Sequence, residues 1–122
     1  LVARCMVQFR TAHGISMGAD CMARDNMCDS NGNGSDGAGI LVTSSDSRVE
    51  GNNCTDNDWG IRVTSAGNII VRNTCSGNTT LNWDVVANNV CYVVNGVLSG
   101  SIIGNSGGFS PGTSDPNANF TY

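Results

Sequence analysis

The stretch Cys28-Asp-Ser-Asn-Gly-Asn-Gly-Ser-Asp-Gly37 sets side-chain oxygens at alternate positions. Asp29, Asn31, Asn33 and Gly34 follow the front half of the calcium-loop pattern D-x-[DN]-x-[DN]-G, where alternate oxygens converge on one cation. The place where such a loop needs a bidentate Glu is held by Ile40. Asn31 belongs to a repeat described below, which leaves Asp29, Asn33 and Asp36 as oxygen ligands. Three such groups are too few for a tight site without waters or a neighbour. The expectation is no cofactor beyond a weak, surface-bound calcium.

Two further groups of residues could do chemistry. Trp59 and Trp83, with Arg62 beside the first, could grip a sugar ring, because exposed indoles offer flat apolar faces. Packing of the two indoles on each other at a corner of the fold is the competing reading. Six cysteines allow 15 disulfide connectivities, but no C-x-x-C and no Cys/His pair suggests a metal. Buried thiols or disulfides both stay open.

Positioning these residues falls to a β-rich chain. Of 122 residues, 16 are Gly, only 13% are charged, and every basic residue is Arg. A net charge of −4 counts against nucleic acid as a partner, which needs a basic footprint, and against anionic membrane surfaces. No apolar run reaches the length of a membrane span and no signal peptide is present, so membrane insertion is not expected. The start at Leu1-Val-Ala-Arg-Cys5, without Met, suggests a mature or excised end of something longer.

A repeat organises the sequence. Gly-Ile recurs at Gly14-Ile15, Gly39-Ile40 and Gly60-Ile61, and Asp84-Val85 occupies the next matching place. N-x-C-x-x-N runs through the same copies as Asn26-Met-Cys28-Asp-Ser-Asn31, Asn52-Asn-Cys54-Thr-Asp-Asn57 and Asn73-Thr-Cys75-Ser-Gly-Asn78. A degenerate copy at the start carries Ala3, Cys5 and Gln8. Apolar residues alternate within each copy, as in Ile40 and Val42 or Ile61 and Val63, which is strand periodicity. Fixed-period self-similarity implies stacked units that bury their apolar faces on one another.

The pattern G-I-x-V … I-x-x-N-x-C-x-x-N resembles the coils of right-handed parallel β-helix proteins, the pectin-lyase-like superfamily, over residues 1–95. The ending Ser-Asp-Pro-Asn-Ala-Asn-Phe-Thr-Tyr122 resembles the C-terminal part of a bacterial repeat protein. The resemblance implies an all-β fold: a right-handed parallel β-helix (β-solenoid) of about four coils, residues 1–95, with a non-repetitive C-terminal cap or tail, residues 96–122. Equivalent residues of successive coils would then lie about 4.8 Å apart. Asn26, Asn52 and Asn73 form one ladder in this reading, Asn31, Asn57 and Asn78 a second, and Cys5, Cys28, Cys54 and Cys75 a column of small buried side chains. His13, Ala38, Trp59 and Trp83 share another position. The tail is expected to bury Phe109, Phe120 and Tyr122.

Members of that superfamily that cleave pectic chains use clustered carboxylates, a His in a G-H-G context and a basic R-I-K element. Here Ala12-His13-Gly14 is a partial echo, Arg62 stands in Gly60-Ile61-Arg62-Val63, and the paired Asp motif is missing. The reading therefore leans away from an enzyme. Outward positions on neighbouring coils carry Leu41, Val86, Met22, Ile69 and Val71, and open sheet edges end the stack. The expected function is a structural or assembly module, self-associating as a homo-oligomer. A trimer is favoured by analogy with β-helical fibres and spikes. An extracellular or cell-surface location follows from the resemblance alone. The alternative is a polysaccharide-binding or polysaccharide-cleaving fragment.

Overall fold

The computed structural model describes residues 1–95 and 115–122. Among these, all regular structure is short β-strand: β1 (Val2–Ala3), β2 (Met6–Gln8), β3 (Ile15–Met17), β4 (Met22–Arg24), β5 (Met27–Asp29), β6 (Ala38–Val42), β7 (Arg48–Glu50), β8 (Asn53–Thr55), β9 (Trp59–Val63), β10 (Ile69–Val71), β11 (Thr74–Ser76), β12 (Leu81–Val85), β13 (Val90–Cys91), β14 (Val93–Asn95) and β15 (Asn119–Thr121). They build three wholly parallel sheets, in the orders β1-β4-β7-β10-β13, β2-β5-β8-β11-β15-β14 and β3-β6-β9-β12. Each turn of chain gives one strand to each sheet, so the molecule is a parallel β-solenoid of about four turns.

The register stacks like on like. Ile15, Ile40 and Ile61 align, as do Met17, Val42, Val63 and Val85, and Ala23 aligns with Val49 and Ile70. Together with Cys28, Cys54 and Cys75 these fill a narrow interior in which most side chains have no exposed surface. Burial of branched apolar side chains in strand pairs supplies the driving force, about 1.5–3 kcal/mol for each large one.

Corners follow one rule. A residue in the left-handed region precedes each ladder position: Asp25 (φ 55°), Gly51 (65°) and Arg72 (57°) come before Asn26, Asn52 and Asn73. Ser30, Asp56 and Gly77 likewise come before Asn31, Asn57 and Asn78. The left-handed residue bends the chain out of one sheet, and the following Asn repairs the hydrogen bonds that the bend breaks. The side-chain oxygen of Asn52 accepts the Asn26 backbone N–H (3.0 Å) and amide N–H (2.9 Å), while the Asn52 amide donates to the Ala23 carbonyl (3.0 Å). Asn57 treats Asn31 and the Cys28 carbonyl in the same way. A third row, Ser47, Asn68 and Asn89, follows Asp46, Gly67 and Asn88 at the remaining corner. The N-x-C-x-x-N motif does not contain it, and Ser47 hides it.

The structure corrects the repeat at both ends. Met6 pairs with Met27 and Val7 with Cys28, so Val7, not Cys5, heads the column of Cys28, Cys54 and Cys75. Cys5 stands level with Asn26, whose side-chain oxygen accepts the Cys5 N–H at 3.0 Å, and it is exposed. The alternation of β2 decides this, since only Val7 of its three residues has inward parity. At the other end, Leu81 pairs with Trp59, Trp83 with Ile61, Asp84 with Arg62 and Val85 with Val63. Asp84-Val85 is thus two residues out of step with Gly60-Ile61, and Trp83 takes a core position. A bulky indole fits there because, among the described residues, no later strand of that sheet stacks above it.

The chain's end does not simply follow the fourth turn. β15 lies within the second sheet, between β11 and β14, and Asn119 extends the ladder of Asn26, Asn52 and Asn73. Phe120 is half-buried while Tyr122 is exposed, and Phe109 lies outside the described residues.

Candidate functional site

The polar groups that stand apart from the ladders gather where the loop after β5 meets β9 and β12. The loop, residues 30–37, is much longer than residues 56–58, which make the same corner one turn later. Asp58 holds it. This side chain is only 4% exposed, and its carboxylate accepts the backbone N–H groups of Gly37 (2.8 Å), Gly34 (2.9 Å), Ser35 (3.0 Å) and Asn33 (3.2 Å). The Asp58 N–H donates in return to the carbonyls of Asn31 and Gly37. Burial on its own pushes the Asp58 carboxyl upward, but the N–H donors outweigh it and hold the group below its ordinary value. Gly32, at φ +107°, wraps so closely that a Cβ there would lie 2.1 Å from an Asp58 carboxylate oxygen. Only glycine fits.

A stretch that looks built to present oxygens to a cation therefore turns a ring of N–H donors onto an internal anion. Its expected calcium ligands face different partners. Asp29 accepts from the Gln8 amide (3.0 Å), the Ser30 hydroxyl (3.2 Å) and the Thr55 hydroxyl (2.8 Å). The Asn33 side-chain oxygen accepts from the Ser35 hydroxyl (3.0 Å), and Asp36 is paired with Arg62. Among the described residues, no three His, Cys, Asp or Glu side chains form a group able to hold a metal ion. Sequence reasoning passed over Asp58. The signal for it was an acidic residue one turn after a loop rich in Gly and Asn.

Arg62 is the centre of the second cluster. Its guanidinium lies 4.5 Å from the centroid of the Trp59 ring, bonds Asp84 through Nε (3.1 Å) and pairs with Asp36. One side chain thus ties the loop before β6 to β9 and β12. The exposed face of Trp59 is covered by a cation, a contact worth about 0.5–1 kcal/mol at such a site. Trp59 Nε1 is buried without a hydrogen-bond partner. The expected stacking of Trp59 on Trp83 does not occur, because the register places the two at different positions. Trp83 instead donates its indole N–H to the Thr121 hydroxyl at 2.7 Å. His13 is level with Ala38, as its neighbours' pairing requires, and its Nδ1 accepts the Ala38 N–H at 3.0 Å. That bond joins the first coil to the second.

All six cysteines are free thiols. Cys28, Cys54 and Cys75 have no exposed surface. The hydrogen bond from Cys54, followed by burial, pushes the Cys28 thiol far above its ordinary range. At Cys54 the bond with Cys28 pulls downward, while Cys75 and complete burial push upward and prevail.

Protein-family models, characterised proteins and solved structures return no match to this chain. The fold and the local chemistry therefore carry the functional reading.

Proposed function

We propose that the solenoid is a structural and assembly module that joins to further copies of itself, as part of a secreted or cell-surface protein. The observation that carries this reading is the distribution of exposed apolar side chains. Leu1, Met6 and Phe9 lie on the first turn, and Leu81, Val86, Val90 and Tyr92 on the last, all exposed. The middle turns contribute only Met27 and Ile69 among the large exposed ones. Val71, expected outside, is buried. Among the described residues, the same two ends carry strands with one unpaired edge, β1, β2 and β3 on one side and β12, β13 and β14 on the other. Open parallel edges flanked by apolar side chains favour pairing with another chain.

A trimer is the closed form proposed, by analogy with β-helical fibres and spikes, whereas end-to-end stacking would give open-ended fibres. Light scattering coupled to size-exclusion chromatography separates the two. The reading expects a stable oligomer that Phe9→Lys or Val90→Lys dissociates. A monodisperse monomer at high concentration would sink it. Membership of the pectin-lyase-like superfamily belongs to the same proposal and rests on the repeat pattern.

A polysaccharide-binding role is the second reading, supported by the grouping of Trp59, Arg62, Asp36 and Asp84 on one outer face. A glycan array together with uronic-acid polymers tests it, with loss of the signal in Trp59→Ala as the expected result. No catalytic role is proposed, and any calcium would be weak and at the surface.

A further inference from the structure

The place of β15 shows a feature that the repeat does not explain. β13 stacks directly on β10 in the first sheet, yet β14 has no pairing with β11 in the second. A gap one strand wide opens there, and β15 fills it. The lining comes from residues that precede the tail by more than twenty positions. The Asn73 carbonyl accepts the Phe120 N–H (2.9 Å), the Tyr92 carbonyl accepts the Asn119 N–H (2.8 Å), and the Arg72 N–H donates to the Asn117 carbonyl (3.1 Å). Asn119, with no exposed surface, accepts from the Asn73 backbone (2.9 Å) and amide (3.0 Å) and donates to the Ile70 carbonyl (2.9 Å). Trp83 closes the far side through Thr121.

We propose that this gap is a strand-acceptor slot, and that β15 of a second copy can occupy it, so that copies exchange their C-terminal strands. The inference rests on the assembly reading above and supplies a contact for it. Three observations carry it. First, the slot is complete before residue 96, so its donors and acceptors do not depend on which chain supplies the strand. Second, residues 96–114 separate β14 from the described tail, and 19 residues reach up to about 60 Å when extended, far beyond the next strand. Third, the strand is held mainly by backbone bonds and one buried amide, which an identical strand reproduces in full. An empty slot would leave the Asn73 N–H and several carbonyls unpaired in the interior, so it must be filled from somewhere.

The test uses the full chain carrying Phe120→Pro, which removes the N–H that bonds Asn73 and cannot sit in a central strand. A fluorescent peptide of residues 115–122 should bind this variant one to one, and the same peptide with Asn119→Ala about tenfold more weakly or worse. The wild-type chain should form an oligomer whose share rises with the concentration at which it is refolded, and Phe120→Pro should abolish it. Should that variant fail to fold, the wild-type chain refolded in excess labelled peptide must retain the label through gel filtration and lose oligomer in proportion. A folded variant that takes up no peptide overturns the slot. Equal oligomer in wild type and Phe120→Pro overturns strand exchange while leaving the assembly reading standing. Peptide uptake without any wild-type oligomer overturns both the exchange between copies and the assembly reading, and makes the slot a purely internal one.

Discussion

Two departures from the repeat among the described residues are secured in the same way. Residues 30–37 add length within one corner, and β15 adds a strand from far along the sequence. The first is pinned by the Asp58 carboxylate, which takes four N–H groups. The second is pinned by the Asn119 amide, which bonds one turn below and one above. The difference lies in charge. An exposed-side loop can be gathered by a charged acceptor, since solvent is near and the N–H groups compensate the rest. A fully buried position such as Asn119 needs a neutral group that both donates and accepts, because an unpaired charge there would cost far more than an amide.

Substitutions can break this parallel. The largest effect is expected in the uninterrupted ladder. Asn52→Ala orphans the Asn26 N–H groups and the Ala23 carbonyl, and should cost about 3 kcal/mol by chemical denaturation. Asn119→Ala should cost about 2 kcal/mol and free the last turn first, seen as hydrogen exchange rising at Tyr92 and Val94 before Ile61. Asp58→Ala should cost about 1–2 kcal/mol and raise exchange at Gly34, Ser35 and Gly37 without disturbing Cys54. If Asn119 and Asp58 variants instead melt every amide together, the two departures are not local devices.

Acid sharpens the comparison further. Because the folded Asp58 carboxyl sits below its ordinary value of 3.8, its contribution is complete above that value and disappears as pH falls through the lower folded one. Asp58→Asn should flatten stability between pH 4 and lower values relative to wild type, whereas Asn119→Ala should leave the slope unchanged. The smallest effect concerns the corners. Asp20 holds φ 54° with an exposed side chain, so Asp20→Gly should add about 0.5–1 kcal/mol, read as a higher denaturation midpoint. Millimolar calcium should move the melting temperature by less than about 1 °C, as expected of a weak site.

The solenoid was legible because its rule is written in identical letters. Asn26, Asn52 and Asn73 repeat with their cysteines two residues on, and alternate apolar residues mark the interior. What escaped was set by contacts that leave no repeated letter. Residue identity points to Cys5, whereas strand parity selects Val7. Residue type aligns Trp83 with Trp59, whereas the strand register sets Leu81 beside Trp59 and Trp83 beside Ile61. The side chains of the loop at Asp29 spell a cation site, but its backbone does the binding, and the partner that organises it sits 29 residues later. No local pattern announces that a strand near the C-terminus fits beside Asn73, because its match is to a gap and not to a neighbour in sequence.

The aligned thiols at Cys28, Cys54 and Cys75 give the molecule an internal clock. They are sealed from water, so a thiol reagent can reach them only after the turns around them separate. Exposed Cys5 offers a fast reference within the same chain. The interval between its modification and theirs measures how long the coils stay shut.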